Sequence, residues 1–169
     1  MSKSNLTVEE LKKLACETID KNKKDIIGVA EQILANPEAG FREVKTAQLV
    51  AQKFQEMGIQ HQGGLALTGL KGRIPGGAGS GPTVAVIGEL DSLVVTDHPH
   101  ADPDTGAAHA GGHHCQIGSM RGATMGLWNP GGISQLCSQI VPCAGPAEEC
   151  SDVEQRLERR EECDVEFLG

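Results

Sequence analysis

Two stretches near the start of the chain carry apolar residues at helical spacing. The sequence TVEE, beginning at Thr7, is a capping box that opens a run of apolar positions three or four residues apart. The polar stretch DKNKKD at 20–25 would allow a break in this run, which ends at the turn NPEAG, 36–40. Residues 43–57 then form one apolar face, with Gly58 where a left-handed helix end is favoured. The pattern therefore predicts two helices, before 36–40 and over 43–57.

The segments that follow lack helical spacing and are typical of strands. The sequences GLALTGLKGRI, 64–74, and TVAVIGEL, 83–90, predict two strands that the glycine-rich stretch PGGAGSGP, 75–82, joins as a hairpin. Residues 83–90 are apolar at nearly consecutive positions, as in a strand covered on both faces. The glycine-rich stretch precedes its strand and opens no helix, which argues against a nucleotide-binding loop. A short buried strand is predicted at QIVPCAG, 139–145.

A long polar loop separates these strands from the next helix. Residues 91–112 are too many for a simple turn in a compact domain and form a candidate binding loop, which leads into a predicted helix from His113 to Leu127. A charged helix is predicted from about Asp152 to Glu162. Alternation of strands and helices indicates an α/β layered domain with a mostly parallel sheet, whose ligands bind beyond the carboxyl ends of the strands.

Composition narrows the classes of function. A chain of 169 residues is the size of one domain, and its three Phe, one Trp and no Tyr require an aliphatic core. The formal net charge is −8 and basic residues form no stripe, which argues against nucleic-acid binding. No signal core and no membrane-length apolar run occur, so we expect a cytoplasmic protein without a membrane partner. Six cysteines at irregular spacing, with no CxxC pair, predict free thiols.

Polar side chains collect at the predicted rim of the sheet. They are two acids after one strand, three histidines at the loop-to-helix junction and two acids after another strand: Glu89, Asp91, His109, His113, His114, Glu148 and Glu149. Each has an ordinary structural explanation on its own, such as a helix start for the paired glutamates. Together, carboxylates and imidazoles suit a divalent metal, and of two adjacent glutamates one can bind metal while the other acts as general base.

The same stretches resemble one family, the metal-dependent amidohydrolases and peptidases that include aminoacylase, hippurate hydrolase, auxin-conjugate hydrolase and p-aminobenzoyl-glutamate hydrolase. The matching motifs are NPEAGFRE with TAQLVAQKFQEMGI, GPTVAVIGELDSL, HPHADPDTGAAHAGGHH with IGSMRGATMGL, and IVPCAGPAEE. The resemblance implies the three-layer α/β/α catalytic domain of the zinc-peptidase type. It also implies a small-molecule partner, an N-acyl amino acid or a small dipeptide-like amide.

Site roles follow from the resemblance position by position. Asp91 is similar to the acidic residue that supports the metal site, and His113 to a metal-ligating histidine. Glu148 matches the general base and Glu149 a metal ligand. Complete members bind two divalent ions, and zinc or manganese is the expected cofactor.

The chain also departs from the family. Gly111 stands where the family motif HACGH has a cysteine ligand, and glycine provides no ligand atom. Arg121 interrupts an otherwise small and apolar helix. The resemblance assigns residues 1–169 to the N-terminal portion of a catalytic domain, without its lid or dimerisation domain and C-terminal part. We therefore expect impaired hydrolysis, with exposed apolar faces that favour homo-oligomers.

Two alternatives differ from this enzyme class. A non-catalytic remnant or fragment would keep part of the scaffold and bind metal weakly or bind a partner, as Gly111 suggests. A thiol-based function near PCAGPAEEC, 142–150, lacks an evident base to activate the thiol and is the weakest of the three.

Overall fold

The computed structural model describes residues 6–129 and 131–150, and the helix predicted over 152–162 lies outside them. The helices are α1 Val8–Leu34, α2 Val44–Glu56 and α3 His113–Leu127, with a short 3-10 helix at Ile133–Gln135. The strands are β1 Gln60–Leu65, β2 Gly69–Arg73, β3 Thr83–Glu89, β4 Leu93–Val94, β5 Ala107–Ala108 and β6 Gln139–Gly145.

The three helices lie where the apolar spacing predicted them. The capping box is present: the amide of Glu10 donates to the hydroxyl of Thr7 at 3.3 Å, and the amide of Thr7 donates to the Glu10 carboxylate at 2.8 Å. Helix α1 continues through 20–25 without a break. Gly58 has a φ of +71°, the left-handed conformation predicted after α2.

The α/β class is confirmed, but three details of the sheet differ from the predictions. Within the described residues the sheet has the order β1-β2-β6-β3, in which only β6 and β3 run parallel, so it is mixed where a mostly parallel sheet was predicted. The single strand predicted over 64–74 is divided by a turn at 66–68, so that it contains the end of β1 and all of β2. Residues 75–82 do not join a hairpin, because β6 lies between β2 and β3.

Strand β3 is more exposed than its apolar sequence predicted. Val84 is 44% exposed and Ile87 is 43% exposed, so the strand is not covered on both faces. Among the described residues β3 pairs only with β6, which places it at an edge of the sheet. No helix in the described part of the chain is both long and apolar enough to cross a membrane.

Helix α3 packs between α1 and the sheet. On the sheet side, a Cβ placed at Gly88 of β3 would lie 3.1 Å from the backbone of Gln116, so the glycine permits close approach. On the other side, Arg121 is 7% exposed and its Nε donates to Asp25 of α1 at 2.9 Å. Arg121 is therefore a buried link between two helices, which accounts for a charged residue within an apolar helix.

The parallel pairing of β3 with β6 creates the edge at which the polar residues meet. The register runs from Thr83 opposite Gln139 to Glu89 opposite Gly145, so both strands end together. The amide of Leu90 continues the pairing by donating to the carbonyl of Gly145 at 2.8 Å. Helix α3 begins at the same edge, because its first residue, His113, contacts Asp91.

Candidate metal centre

His113 occupies the centre of the polar cluster, and Asp91 fixes the orientation of its ring. The Nδ1 atom of His113 lies 2.9 Å from the backbone oxygen of Asp91 and 3.2 Å from its Oδ1. A backbone oxygen can only accept a hydrogen bond, so Nδ1 is the ring nitrogen that donates. In the neutral ring, the form in which imidazole binds a metal, Nε2 then carries the lone pair.

Three glutamate carboxylates surround this Nε2 atom. Oε2 of Glu89 lies 3.0 Å from it, Oε2 of Glu148 3.7 Å and Oε1 of Glu149 3.8 Å. One ligand atom from each of Glu89, His113 and Glu148 lies within 4.8 Å of the others. The structure thus brings together Asp91, His113, Glu148 and Glu149, the four site residues that the resemblance implied. It adds Glu89, which the sequence placed in the cluster without a role.

Asp91 also contacts the backbone of the adjacent pair Glu148 and Glu149. Its side chain is fully buried, and Oδ2 accepts the amide hydrogen of Glu149 at 2.9 Å. One carboxylate therefore orients the histidine through Oδ1 and the loop after β6 through Oδ2. Asp91 therefore contacts both His113 and the backbone of Glu149 from the buried side of the cluster.

Glu43 is a second buried support that the sequence did not single out. It is fully buried, and its carboxylate accepts the amide hydrogen of Ala147 at 2.8 Å and the hydroxyl of Thr68 at 2.7 Å. Ala147 has a φ of +54°, a conformation that favours glycine, and it directly precedes Glu148. Burial raises the pKa of Glu43. Glu43 is the last residue of the motif NPEAGFRE, which could have drawn attention to it. The sequence does not show its contact with Ala147, because the two residues are 104 positions apart.

The cluster has the charge and spacing that suit a cation. Across residues 6–129 and 131–150, Glu89, Asp91 and Glu149 form ion pairs only with His113. Burial raises the pKa of Glu89, and the negative charge of Glu148 raises it further. Ligand atoms bound at 2.0 to 2.1 Å around a tetrahedral ion lie roughly 3.3 Å apart. The distances of 3.0 to 3.8 Å from Nε2 span that value, so the donor set fits a divalent metal.

Gly111 faces the same cluster. A Cβ placed there would lie 2.6 Å from Oε1 of Glu149 and 4.0 Å from Leu93. A cysteine at this position would therefore point at the carboxylate of Glu149, which would have to move aside. Cys115 does not take its place, because its sulfur lies 3.2 Å from Nε2 of His114 and the residue is exposed.

The two other histidines of the cluster lie beside it and do not face the carboxylates. His109 is 5% exposed, and neither of its ring nitrogens has a hydrogen-bond partner within the described residues. Its ring centroid is 5.5 Å from that of His114. Burial, together with the neighbouring histidines His114 and His113, lowers the pKa of His109 to about 4.

The sequence is similar to part of the sequences of known hydrolases. IAA-amino acid hydrolase ILR1-like 4 of Arabidopsis thaliana is 31% identical over 127 residues, which make up 73% of this chain and 28% of that protein. N-acyl-L-amino acid amidohydrolase of Geobacillus stearothermophilus is 32% identical over 111 residues, 64% of this chain and 29% of that enzyme. No protein-family model matches the sequence.

A solved structure gives the same result for the fold. The YXEP protein of Bacillus subtilis, described as a dinuclear metal binding peptidase from the M20 family, matches with a TM-score of 0.69 and 26% identity. The match covers 83% of this chain and 40% of that one. The chain is thus similar in sequence and in fold to a part of these amidohydrolases and peptidases. The matched part of the chain spans 28% of the length of the Arabidopsis hydrolase and 29% of that of the Geobacillus enzyme.

Proposed function

We propose that this site binds a divalent metal ion, zinc or manganese, and hydrolyses the amide bond of an N-acyl amino acid or a small dipeptide-like substrate. The observation that carries the proposal is the Nε2 atom of His113, which faces three glutamate carboxylates while Asp91 holds Nδ1. The names of the relatives support the substrate class, since they describe hydrolysis of IAA-amino acids and of N-acyl-L-amino acids.

The position and exposure of each site residue suggest its role. His113 and Glu149 would hold the ion, and Asp91 orients both of them. The side chain of Glu148 is 41% exposed, against 27% for Glu149, so Glu148 is the more open to water and substrate. Glu148 takes the proton of the attacking water as general base. A bound divalent ion supplies the Lewis acid that activates water and stabilises the negative charge on the carbonyl oxygen.

The proposal for this chain is a site with reduced turnover. In line with the resemblance, residues 1–169 correspond to the N-terminal portion of a catalytic domain. Gly111 offers no ligand atom beside Glu149. The loss of one anionic ligand lowers the affinity for the metal and leaves less negative charge to balance the charge of the ion. The same observation favours a second candidate, a non-catalytic remnant that binds metal weakly.

The surroundings of the chain are part of the proposal. We propose a cytoplasmic location, which the exposed free thiols of Cys16, Cys115 and Cys137 support because thiols persist in reducing compartments. The partner is a small amide, and the acidic net charge of −8 disfavours nucleic acid.

Calorimetric titration with Mn²⁺ and Zn²⁺, combined with an assay on N-acetyl and N-benzoyl amino acids, tests the proposal. We expect metal binding that His113→Ala abolishes, together with slow hydrolysis that a chelator removes. Glu148→Gln keeps the metal and lowers the rate on the order of 10²- to 10⁴-fold, as loss of a general base does.

The control and the contrary outcomes separate the candidates. Glu17→Gln, on a side chain 52% exposed and far from the site in α1, changes neither binding nor rate. Metal binding without any hydrolysis would favour the non-catalytic remnant. A chain that binds neither ion would contradict both candidates.

A further inference from the structure

We infer that Glu89 is a metal ligand, and that with His113 it binds a single oxygen-preferring divalent ion in place of the ligand missing at Gly111. This inference rests on the proposed function, because it assigns an additional ligand to the same site. It differs from the assignment by resemblance, which names His113 and Glu149 and gives Glu89 no role.

The first step is the orientation of the His113 ring. The backbone oxygen of Asp91 accepts a hydrogen bond from Nδ1, so Nε2 is the ring nitrogen that faces the carboxylates. Oε2 of Glu89 lies 3.0 Å from Nε2, closer than the oxygens of Glu148 at 3.7 Å and of Glu149 at 3.8 Å. One ligand atom from each of Glu89, His113 and Glu148 lies within 4.8 Å of the others, a spacing that a single ion can bridge.

The second step is the position of Glu89 in the fold. It is the last residue of β3, and the main-chain pairing of Glu89 with Gly145 fixes where its side chain begins. The side chain is 24% exposed, which leaves it less open to water than Glu148 at 41%. A carboxylate fixed by a strand and close to the histidine is better placed to bind an ion than to accept a substrate proton.

The third step concerns the number of ions. Position 111 adjoins Glu149, and a Cβ placed there has only Glu149 and Leu93 within 4 Å among its nearest atoms. Glu89 instead groups with Glu148 around Nε2. The missing thiolate would therefore lie beside Glu149, whereas Glu89 has the carboxylate oxygen nearest to Nε2, at 3.0 Å. This arrangement supports one ion at Glu89 and His113, without a bridging ligand for a second.

The ligand chemistry gives the preference among metals. Without a thiolate, the donor atoms are one imidazole nitrogen and carboxylate oxygens. Carboxylate and imidazole ligands suit Mn²⁺ and Zn²⁺, whereas thiolate ligands select softer ions. We therefore expect Gly111→Cys, which adds a thiol, to raise the affinity for the thiophilic ion Cd²⁺ more than that for Mn²⁺.

Titration calorimetry with Mn²⁺ on the purified full chain tests the inference through affinity and stoichiometry, without an activity readout. We expect one ion per chain. Glu89→Gln should weaken binding by roughly tenfold or more, since even residues behind the ligands cost 10- to 100-fold when changed. Glu89→Asp, which keeps the charge on a shorter side chain, should lose less. Glu17→Gln, the exposed control, should bind within about twofold of the unchanged chain.

The contrary results are distinct from failure of the proposed function. If His113→Ala abolishes Mn²⁺ binding while Glu89→Gln leaves it unchanged, the proposed metal site stands and the role of Glu89 is wrong. Two ions per unchanged chain would overturn the single-ion inference. Circular dichroism shows whether Glu89→Gln is folded. If it is not, a folded Glu89→Asp decides: a measurable loss of Mn²⁺ affinity supports Glu89 as a ligand, and affinity equal to that of the unchanged chain overturns it.

Discussion

At the scale of single residues, His109 carries a pH dependence that can be measured. It is 5% exposed, and burial lowers its pKa to about 4, helped by the charges of His114 and His113. An unfolded histidine titrates near 6.5. Between these values the unfolded chain binds a proton that the folded chain does not, so stability falls as the pH is lowered from about 6.5 towards 4.

Replacement of His109 by leucine should make the chain less sensitive to mild acid. We expect the melting temperature of the unchanged chain to fall from about pH 7 to about pH 5, and that of His109→Leu to fall less, because the proton uptake on unfolding is removed. Melting curves followed by circular dichroism at both pH values measure this. His100→Gln, a change at an exposed histidine, serves as the control. An equal fall in His109→Leu would show that this residue does not contribute.

The site residues could be predicted to different extents. Asp91, His113 and the pair Glu148 and Glu149 were found because strand ends and motif order place them at one rim. The role of Glu43 could not be predicted, since its contact with the loop after β6 joins residues 104 positions apart. A polar residue next to a strand end can be recognised from the neighbouring sequence. A buried residue such as Glu43 can be recognised only from the distant residues that it contacts in the fold.

At the scale of elements, the contact between α1 and α3 depends on small residues. A Cβ placed at Gly126 would lie 3.1 Å from Ile19 of α1, which is tighter than ordinary packing. At Gly122 the corresponding distance to Ile26 is 3.5 Å, an ordinary van der Waals contact. The two glycines lie one turn apart on the same face of α3, so they provide a matched pair.

A large side chain at Gly126 should force the two helices apart. We expect Gly126→Leu to lower the free energy of unfolding by roughly 1 to 3 kcal/mol, the cost of overpacking a filled interface. Gly122→Ala fits the space and should be neutral or stabilising by up to about 1 kcal/mol, because alanine favours a helix over glycine. Urea unfolding curves measure both. A Gly126→Leu chain as stable as the unchanged one would contradict this account of the interface.

Helices and strands that have a pattern in their own sequence could be predicted, but the order in which the strands pair could not. Helix α3 has the bounds that the sequence indicated, and the cap of α1 is formed by the residues of the capping box. The sequence predicts a hairpin connection at the glycine-rich stretch 75–82, whereas in the structure β6 lies between the strands on either side of it. Strand pairing depends on partners distant in sequence, so periodicity reports that a strand exists but not beside which strand it lies.

At the scale of the whole molecule, strand β3 leaves an apolar edge that favours association between copies. Val84 and Ile87 are 44% and 43% exposed, and in the described part of the chain β3 pairs on one side only. An exposed apolar edge strand presents unpaired backbone groups to another chain. The net charge of −8 opposes this association at low ionic strength, because like-charged copies repel.

The chain should therefore self-associate in a manner that increases with concentration and with salt. Sedimentation velocity at several protein concentrations, with and without added salt, measures the distribution of species. We expect Ile87→Lys to shift it towards monomer, since a charge on an edge strand disfavours pairing with another edge. Val94→Lys changes a residue that is 61% exposed on β4, away from that edge, and should leave the distribution as it is. If both lysine variants associate like the unchanged chain, the contact does not lie on β3, and if Val94→Lys alone gives monomer, it lies on the loop 91–112.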